Sequence, residues 1–372
     1  MPAQQVRGAG ADVLDSPETD AVPPISPPQG APSRRLWWPT RAILAVGALL
    51  LTGAAAGAVY QAIATSRDAA ANPPPGRLVD VGGHRLHIWC VGEGSPTVVL
   101  ESGLANRSAD WDIVQPQVAT STRVCSYDRA GIGWSDNGPE PRDPVRIAGE
   151  LHMLLANAGV PGPYVLAGHS FGGLYARMYA GLYPEQVAGM VLVDASHPDQ
   201  WTYAPAEFKA AAQPSAPMGL VYRAAQRLGV ARLVNMFPIP ADCGHPVPYC
   251  AEERAYRNAR FMEAYVAEMG ASERDAQVRG APSLGDRPLI VLTASDHSDQ
   301  GLPPEAVAQF ERDWRQLQAD LAGLSTNSQH LLIEGSKHGT LQTTYATATS
   351  DAIRRVVDAG RTGQSLAAAT RD

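Results

Sequence analysis

Residues 168–172 read Gly-His-Ser-Phe-Gly, with Gly173 next. A serine whose second neighbours are both glycine has the spacing of a nucleophile on a strained strand-to-helix turn. A hydroxyl attacks a carbonyl only when a base takes its proton. Of the nine histidines, His338 follows the last apolar run, "HLLIEGSKHG", and precedes the last helical pattern. His84 and His87 belong to an early hairpin, His152 to a helix and His245 to a loop between two cysteines. His169 is expected to face away from the nucleophile by its place in the turn, while His197 and His297 stand at strand ends. The base in turn needs an acid that orients it and stabilises its charged form. Asp194 closes the strand "AGMVLVDAS", and Asp296 and Asp299 follow "PLIVLTA". Both strand ends lie at the edge that carries Ser170, and the choice between them stays open on these residues alone.

These residues need a sheet to hold them. "YVLAG" before Ser170 is a strand and "GGLYARMYAGLY" after it a helix of about 171–183. The helix N-terminus favours developing negative charge beside the serine. "RLVDVGGHRLHIWCVG" reads as two strands turned by Gly82-Gly83, and "PTVVLESG" and "STRVCSYDRAG" as buried strands. "PVRIAGELHMLLANAG" places Val145, Ala148, Leu151, Leu154 and Leu155 on one helical face, ended by Gly159. Strands alternating with helices predict a mostly parallel sheet with helices on both faces, an α/β fold. Residues 197–285 hold helical runs and no strand candidate, so they are expected to form a helical insertion over one end of the sheet.

"GHSFGG", "SYDRAGIGWSD", the late His338 and the strand-helix order resemble the α/β-hydrolase superfamily over about residues 77–360. The resemblance implies an eight-stranded sheet and a cap domain at the insertion. It also implies an oxyanion hole built from the amides of Phe171 and Leu104. The segment Ser102-Gly103-Leu104 stands where that family carries His-Gly-X. The usual acid position after strand seven departs from Gly-x-x-Asp: Ala294 replaces the glycine, and the third residue on is His297. Some lipases and dehalogenases of this pattern take the acid from strand six, which puts Asp194 ahead of Asp296. The family's strand order sets Cys90 and Cys125 on adjacent strands two and four, which favours their pairing.

The 372 residues carry a net charge of −7 and no long basic run, which excludes a nucleic-acid binder. No H-E-x-x-H or phosphate-loop motif occurs, and nothing calls for a metal or an organic cofactor. Residues 1–41 are Pro-rich and polar and are expected to be a disordered tail. Residues 42–65 carry no charge over 24 positions, enough to cross a hydrocarbon core. Arg34, Arg35 and Arg41, with Trp37 and Trp38, precede this span, which predicts a cytoplasmic N-terminus and a catalytic domain outside the cell membrane. A cleaved signal peptide is the rival reading. Residues 66–76 read as a linker, and 77–372 as the hydrolase domain with its cap at about 197–285. Four cysteines suit two disulfides in an exported domain, with Cys243 and Cys250 in "DCGHPVPYC" as the second candidate pair; Cys90 and Cys125 read equally as small core residues until the resemblance is considered.

The function expected is therefore a membrane-anchored serine hydrolase with Ser170, His338 and Asp194 or Asp296. Its substrate is a small-molecule ester, thioester or amide, cleaved through an acyl-enzyme. A lyase or cofactor-free peroxidase on the same residues is one alternative. A membrane-anchored binding protein without turnover is another. Epoxide hydrolases and dehalogenases need a carboxylate where Ser170 stands.

Overall fold

The computed structural model describes residues 37–212, 216–236, 238, 247–271, 274–300 and 302–366. Most of the expected tail, and Cys243, lie outside these residues. The chain divides into two compact units, Met1–Leu51 and Thr52–Asp372. The first described element, helix α1 (Trp37–Ala71), is 35 residues long and apolar enough to cross a membrane. It continues through "RDAAA", so the expected linker is helical as far as Ala71. Alanine is the best helix former, which carries the helix past the apolar span. It stops at Asn72, whose side chain donates to the Asp68 carbonyl (2.8 Å), just before three prolines.

In the second unit eight strands form one sheet. They are β1 (Arg77–Asp80), β2 (Arg85–Val91), β3 (Thr97–Glu101), β4 (Val124–Tyr127), β5 (Tyr164–His169), β6 (Val187–Val193), β7 (Leu289–Asp296) and β8 (Ser328–Lys337). Their order is β1-β2-β4-β3-β5-β6-β7-β8. Only β2 runs against its neighbours, β1 and β4; every other pairing is parallel. The β1-β2 turn holds Gly82 and Gly83 at φ 99° and 106°, a region that side chains avoid. Cys90 and Cys125 face each other in the β2-β4 register and form a disulfide. Cys250 is also disulfide-bonded.

The central strands are apolar throughout because both faces are covered. Val99, Leu166, Met190 and Val291 point to one face. There they pack against α3 (Pro144–Asn157), α4 (Gly172–Leu182) and Leu321. Val98, Val165, Val191 and Ile290, one residue out of phase, point to the other. That face is filled by α2 (Val114–Val118) and by Ile353, Val356 and Val357. Helix α3 begins at Pro144 after Asp143, whose carboxylate accepts from the Arg146 amide (2.9 Å).

Between β6 and β7 the chain makes seven helices and no named strand among the described residues, as the insertion predicts. These are α5 (Gln200–Tyr203), α6 (Ala206–Ala212), α7 (Ala216–Arg227), α8 (Val230–Leu233), α9 (Val247–Ala259), α10 (Phe261–Met269) and α11 (Arg274–Arg279). Helices α12 (Pro304–Ala322) and α13 (Ala346–Thr362) follow β7 and β8.

Candidate active site

Strand β5 passes into α4 through a single turn with Ser170 at its apex, at φ 54°. A non-glycine residue in this region is strained and must be held by its surroundings. The Ser170 amide donates to the Val193 carbonyl (3.2 Å), and its own carbonyl accepts from Ser196 (2.9 Å) and Gly173 (3.0 Å). The flanking glycines are there for space. A Cβ on Gly168 would lie 2.6 Å from the Gly172 carbonyl oxygen, and one on Gly172 would lie 2.3 Å from that of Glu101. On Gly173 it would lie 2.4 Å from the Ala195 Cβ.

His338 follows the end of β8, and its Nδ1 lies 2.6 Å from Oδ2 of Asp194 at the end of β6. Asp194 sits at φ 43° with its side chain fully buried. Its Oδ1 accepts from the Ala294 amide (3.0 Å) and from Nε1 of Trp314 on α12 (2.8 Å). Its Oδ2 accepts from His338 and also from Nε2 of His297 (3.2 Å). Burial alone would raise this carboxyl, but hydrogen bonds from His297 and His338 outweigh it and hold Asp194 well below the usual carboxylate range. An ionised carboxylate only accepts, so His338 presents Nδ1–H to it and leaves Nε2 with a lone pair. That is the tautomer a general base requires.

Asp296 stands apart. Its Oδ1 accepts from the Ser298 amide (2.8 Å), and its Oδ2 lies 3.7 Å from Nζ of Lys337. The residue one further along the chain, His297, is the one that reaches Asp194. His169 does not face away as its place in the turn suggested. Its Nε2–H donates to the His338 carbonyl (3.1 Å), and the two rings lie 4.6 Å apart. Burial, and then the neighbouring His338, push the His169 imidazole down to about 3, so it is neutral at pH 7.

The loop after β3, residues 102–105, carries Leu104 and passes close to the serine. A Cβ on Gly103 would lie 3.2 Å from that of Ser170. Arg129 holds this loop from below: it donates to the carbonyls of Ser102 (2.7 Å) and Gly103 (2.6 Å) and to Oε1 of Glu101 (2.7 Å). Its other partner comes from the cap. Glu268 on α10 accepts from Nε (2.6 Å) and Nη2 (3.0 Å) of Arg129 and from the Ala105 amide (3.0 Å). All three charged side chains are buried. Arg129 lies inside the motif "SYDRAGIGWSD", whose pattern does not disclose this role. Glu268 carried no signal at all.

Ser170, Phe171, Leu104, His297 and His338 line one cavity of about 290 Å³. Phe208, Tyr265 and Met269 close it from the cap, and Phe310 and Trp314 from α12. Its walls are mainly apolar and aromatic, the usual character of a small-molecule pocket. Among the described residues no cluster of His, Cys, Asp and Glu has the makings of a metal site.

The model of the alpha/beta hydrolase fold family matches residues 96–271. A Schizosaccharomyces pombe protein is 34% identical over 151 residues, which cover 32% of this chain and 28% of that protein. The chain spans half or less of the first curated relatives it matches, 28%, 27% and 49% of their lengths. A thermophilic esterase from Thermogutta terrifontis has a similar structure, with a TM-score of 0.53 and 20% identity. The match covers 76% of this chain and 98% of the esterase. A bromoperoxidase from Bacillus anthracis matches with a TM-score of 0.54 and 16% identity, over 76% of this chain and 100% of that one. Likenesses this distant carry the fold and leave the chemistry to the site.

Proposed function

We propose that this chain, which belongs to the α/β-hydrolase superfamily, is a serine hydrolase that cleaves esters of fairly apolar acids. The observation that carries this reading is the 2.6 Å hydrogen bond from His338 to the buried Asp194, with His338 and the strained Ser170 lining one apolar cavity. Ser170 Oγ attacks the substrate carbonyl while His338 Nε2 takes its proton. Asp194 stabilises the imidazolium that results. The amides of Phe171 and Leu104 receive the oxyanion, the first at the N-terminus of α4 and the second on the loop that Arg129 holds. Collapse of the tetrahedral intermediate expels the alcohol, which takes the proton from His338. Water, activated by the same histidine, attacks the acyl-serine and releases the acid.

Helix α1 is the anchor in this reading: residues 42–65 span the cell membrane, with the N-terminus cytoplasmic and the hydrolase domain outside. The arginines before the span and the Cys90–Cys125 disulfide both favour that orientation. The test is labelling of the intact chain by a fluorophosphonate, combined with hydrolysis of p-nitrophenyl butyrate. Labelling and hydrolysis in the native chain, both lost in Ser170→Ala, are expected. Equal labelling of Ser170→Ala would refute the nucleophile. Labelling without hydrolysis of esters of any chain length would point to another reaction of the same serine, such as that of a lyase or a peroxidase.

A further inference from the structure

The cap presents an apolar face outward, formed by residues that do not line the Ser170 cavity. In α7 and α8, and just after α8, the apolar residues Leu220, Val221, Leu233 and Val234 have 59% to 69% of their surfaces bare. A surface helix normally shows the opposite pattern, apolar inside and polar outside. The inner side of α7 is occupied: Gly219 packs on Val266 of α10, and Gln226 is fully buried. The charge of this segment is also unlike that of the whole. Residues 216–236 contain Arg223, Arg227 and Arg232 and no acidic residue, in a chain of net charge −7. A bare apolar stripe with arginines around it is the pattern of a helix lying in a membrane interface.

What covers this face follows from its neighbour. The turn between α7 and α8 is docked on α1. A Cβ on Gly57 would lie 2.4 Å from the Leu228 carbonyl oxygen, and one on Gly229 would lie 2.7 Å from the Tyr60 ring. Arg232 pairs with Asp68 (2.6 Å) and donates to Gln61 (3.4 Å), a polar residue inside the apolar span that is thereby buried. Gly57 and Tyr60 stand ten and seven residues before Arg67, the first charge after the span. At 1.5 Å per residue that is about 10–15 Å along the helix. We propose that the α7–α8 face of the cap is seated in the outer leaflet of the bilayer that α1 crosses. This rests on the reading of residues 42–65 as a membrane anchor.

The test uses the full chain in vesicles of phosphatidylcholine and phosphatidylglycerol. An environment-sensitive fluorophore is attached singly at Val221→Cys, Leu233→Cys, Leu49→Cys (mid-span) or Gln364→Cys. Gln364 is exposed, and nearby Arg361 bonds the Ser95 carbonyl (2.9 Å) at the opposite edge of the sheet. Fluorophores at 221 and 233 are expected to be quenched by doxyl-labelled lipid several-fold more than at 364, and by iodide several-fold less. If 221 and 233 respond as 364 does while 49 is quenched by lipid, the anchor stands and the seated cap is wrong. If 49 also responds as 364 does, the anchor reading itself fails and takes the proposal with it. Shielding of 221 and 233 from both quenchers would mean that protein covers the face, and would overturn the proposal as well.

Discussion

His297 and His338 meet on one oxygen: both imidazoles donate to Oδ2 of Asp194, at 3.2 and 2.6 Å. A carboxylate with four donors around it is strongly fixed in place and in charge. It also divides its negative charge between two rings, both of which line the cavity that holds Ser170. The proposed chemistry therefore depends on how Asp194 is shared, and several consequences can be measured.

Replacing the acid separates the two aspartates considered from sequence. Asp194→Asn should lower kcat for p-nitrophenyl butyrate by about three to four orders of magnitude, because the amide no longer holds the required tautomer of His338. Asp296→Asn should stay within about twofold, since its partners are Ser298 and Lys337. Comparable mild losses in both would remove Asp194 from the mechanism.

His297 acts through Asp194 as a positioning residue. In His297→Phe the carboxylate loses one hydrogen-bonding imidazole, and its charge falls wholly on His338. Accordingly, kcat should fall by less than about tenfold with KM little changed, and His297→Gln, which can still donate to the carboxylate, should recover part of the loss. Equal losses in His297→Phe and His297→Gln would show that His297 serves packing alone.

Glu268 ties the cap to the loop that carries Leu104. Glu268→Gln keeps the shape but turns an N–H group toward donors on Ala105 or Arg129. Stability should fall by about 1–3 kcal/mol, measured by urea unfolding. The folded enzyme should lose about tenfold or more in kcat, with KM little changed, because the misplaced amide matters most when charge develops on the substrate oxygen. A loss of stability with kcat intact would make the tie purely structural.

The neutral, buried His169 gives a pH dependence of known sign. Its pKa falls from 6.5 in the unfolded chain to about 3 in the fold. Between those values the unfolded chain binds the extra proton, so stability rises with pH through the window and its contribution levels off above 6.5. Unfolding free energies at pH 7, 6 and 5 should decline less steeply in His169→Gln than in the native chain, by up to one proton. Parallel curves would mean that His169 is protonated in the fold.

Much of this was legible along the chain, for a physical reason. Residues 98–100, 165–167 and 190–193 are covered on both faces and so read as unbroken apolar runs, and the space required at Gly168, Gly172 and Gly173 excludes any larger side chain. Ser170 and Asp194 could be nominated because each follows such a run, and His338 because it follows the last apolar stretch, on the edge strand β8. Asp296 could not be separated from Asp194 by the same logic, since both end strands at one edge. The groups that support the site were a different matter. Arg129 and Glu268 are 139 residues apart and His297 and Asp194 are 103 apart, and a hydrogen bond across a folded core leaves no period in a sequence. The helical run through "RDAAA" was masked by the prolines just beyond it.

The bond between Glu268 and Arg129 also bears on how such a protein can be rebuilt. A cap joined to its base only by apolar contact could be exchanged for another of similar shape to change what the pocket admits. Here the cap delivers a buried carboxylate that neutralises a buried guanidinium in the body. An exchange that omitted it would leave Arg129 with Glu101 as its one charged partner and the buried Ala105 amide without its acceptor, at a penalty of about 1–3 kcal/mol. Any donor cap must therefore bring an acid to the position of Glu268, or Arg129 and Glu101 must be replaced along with it.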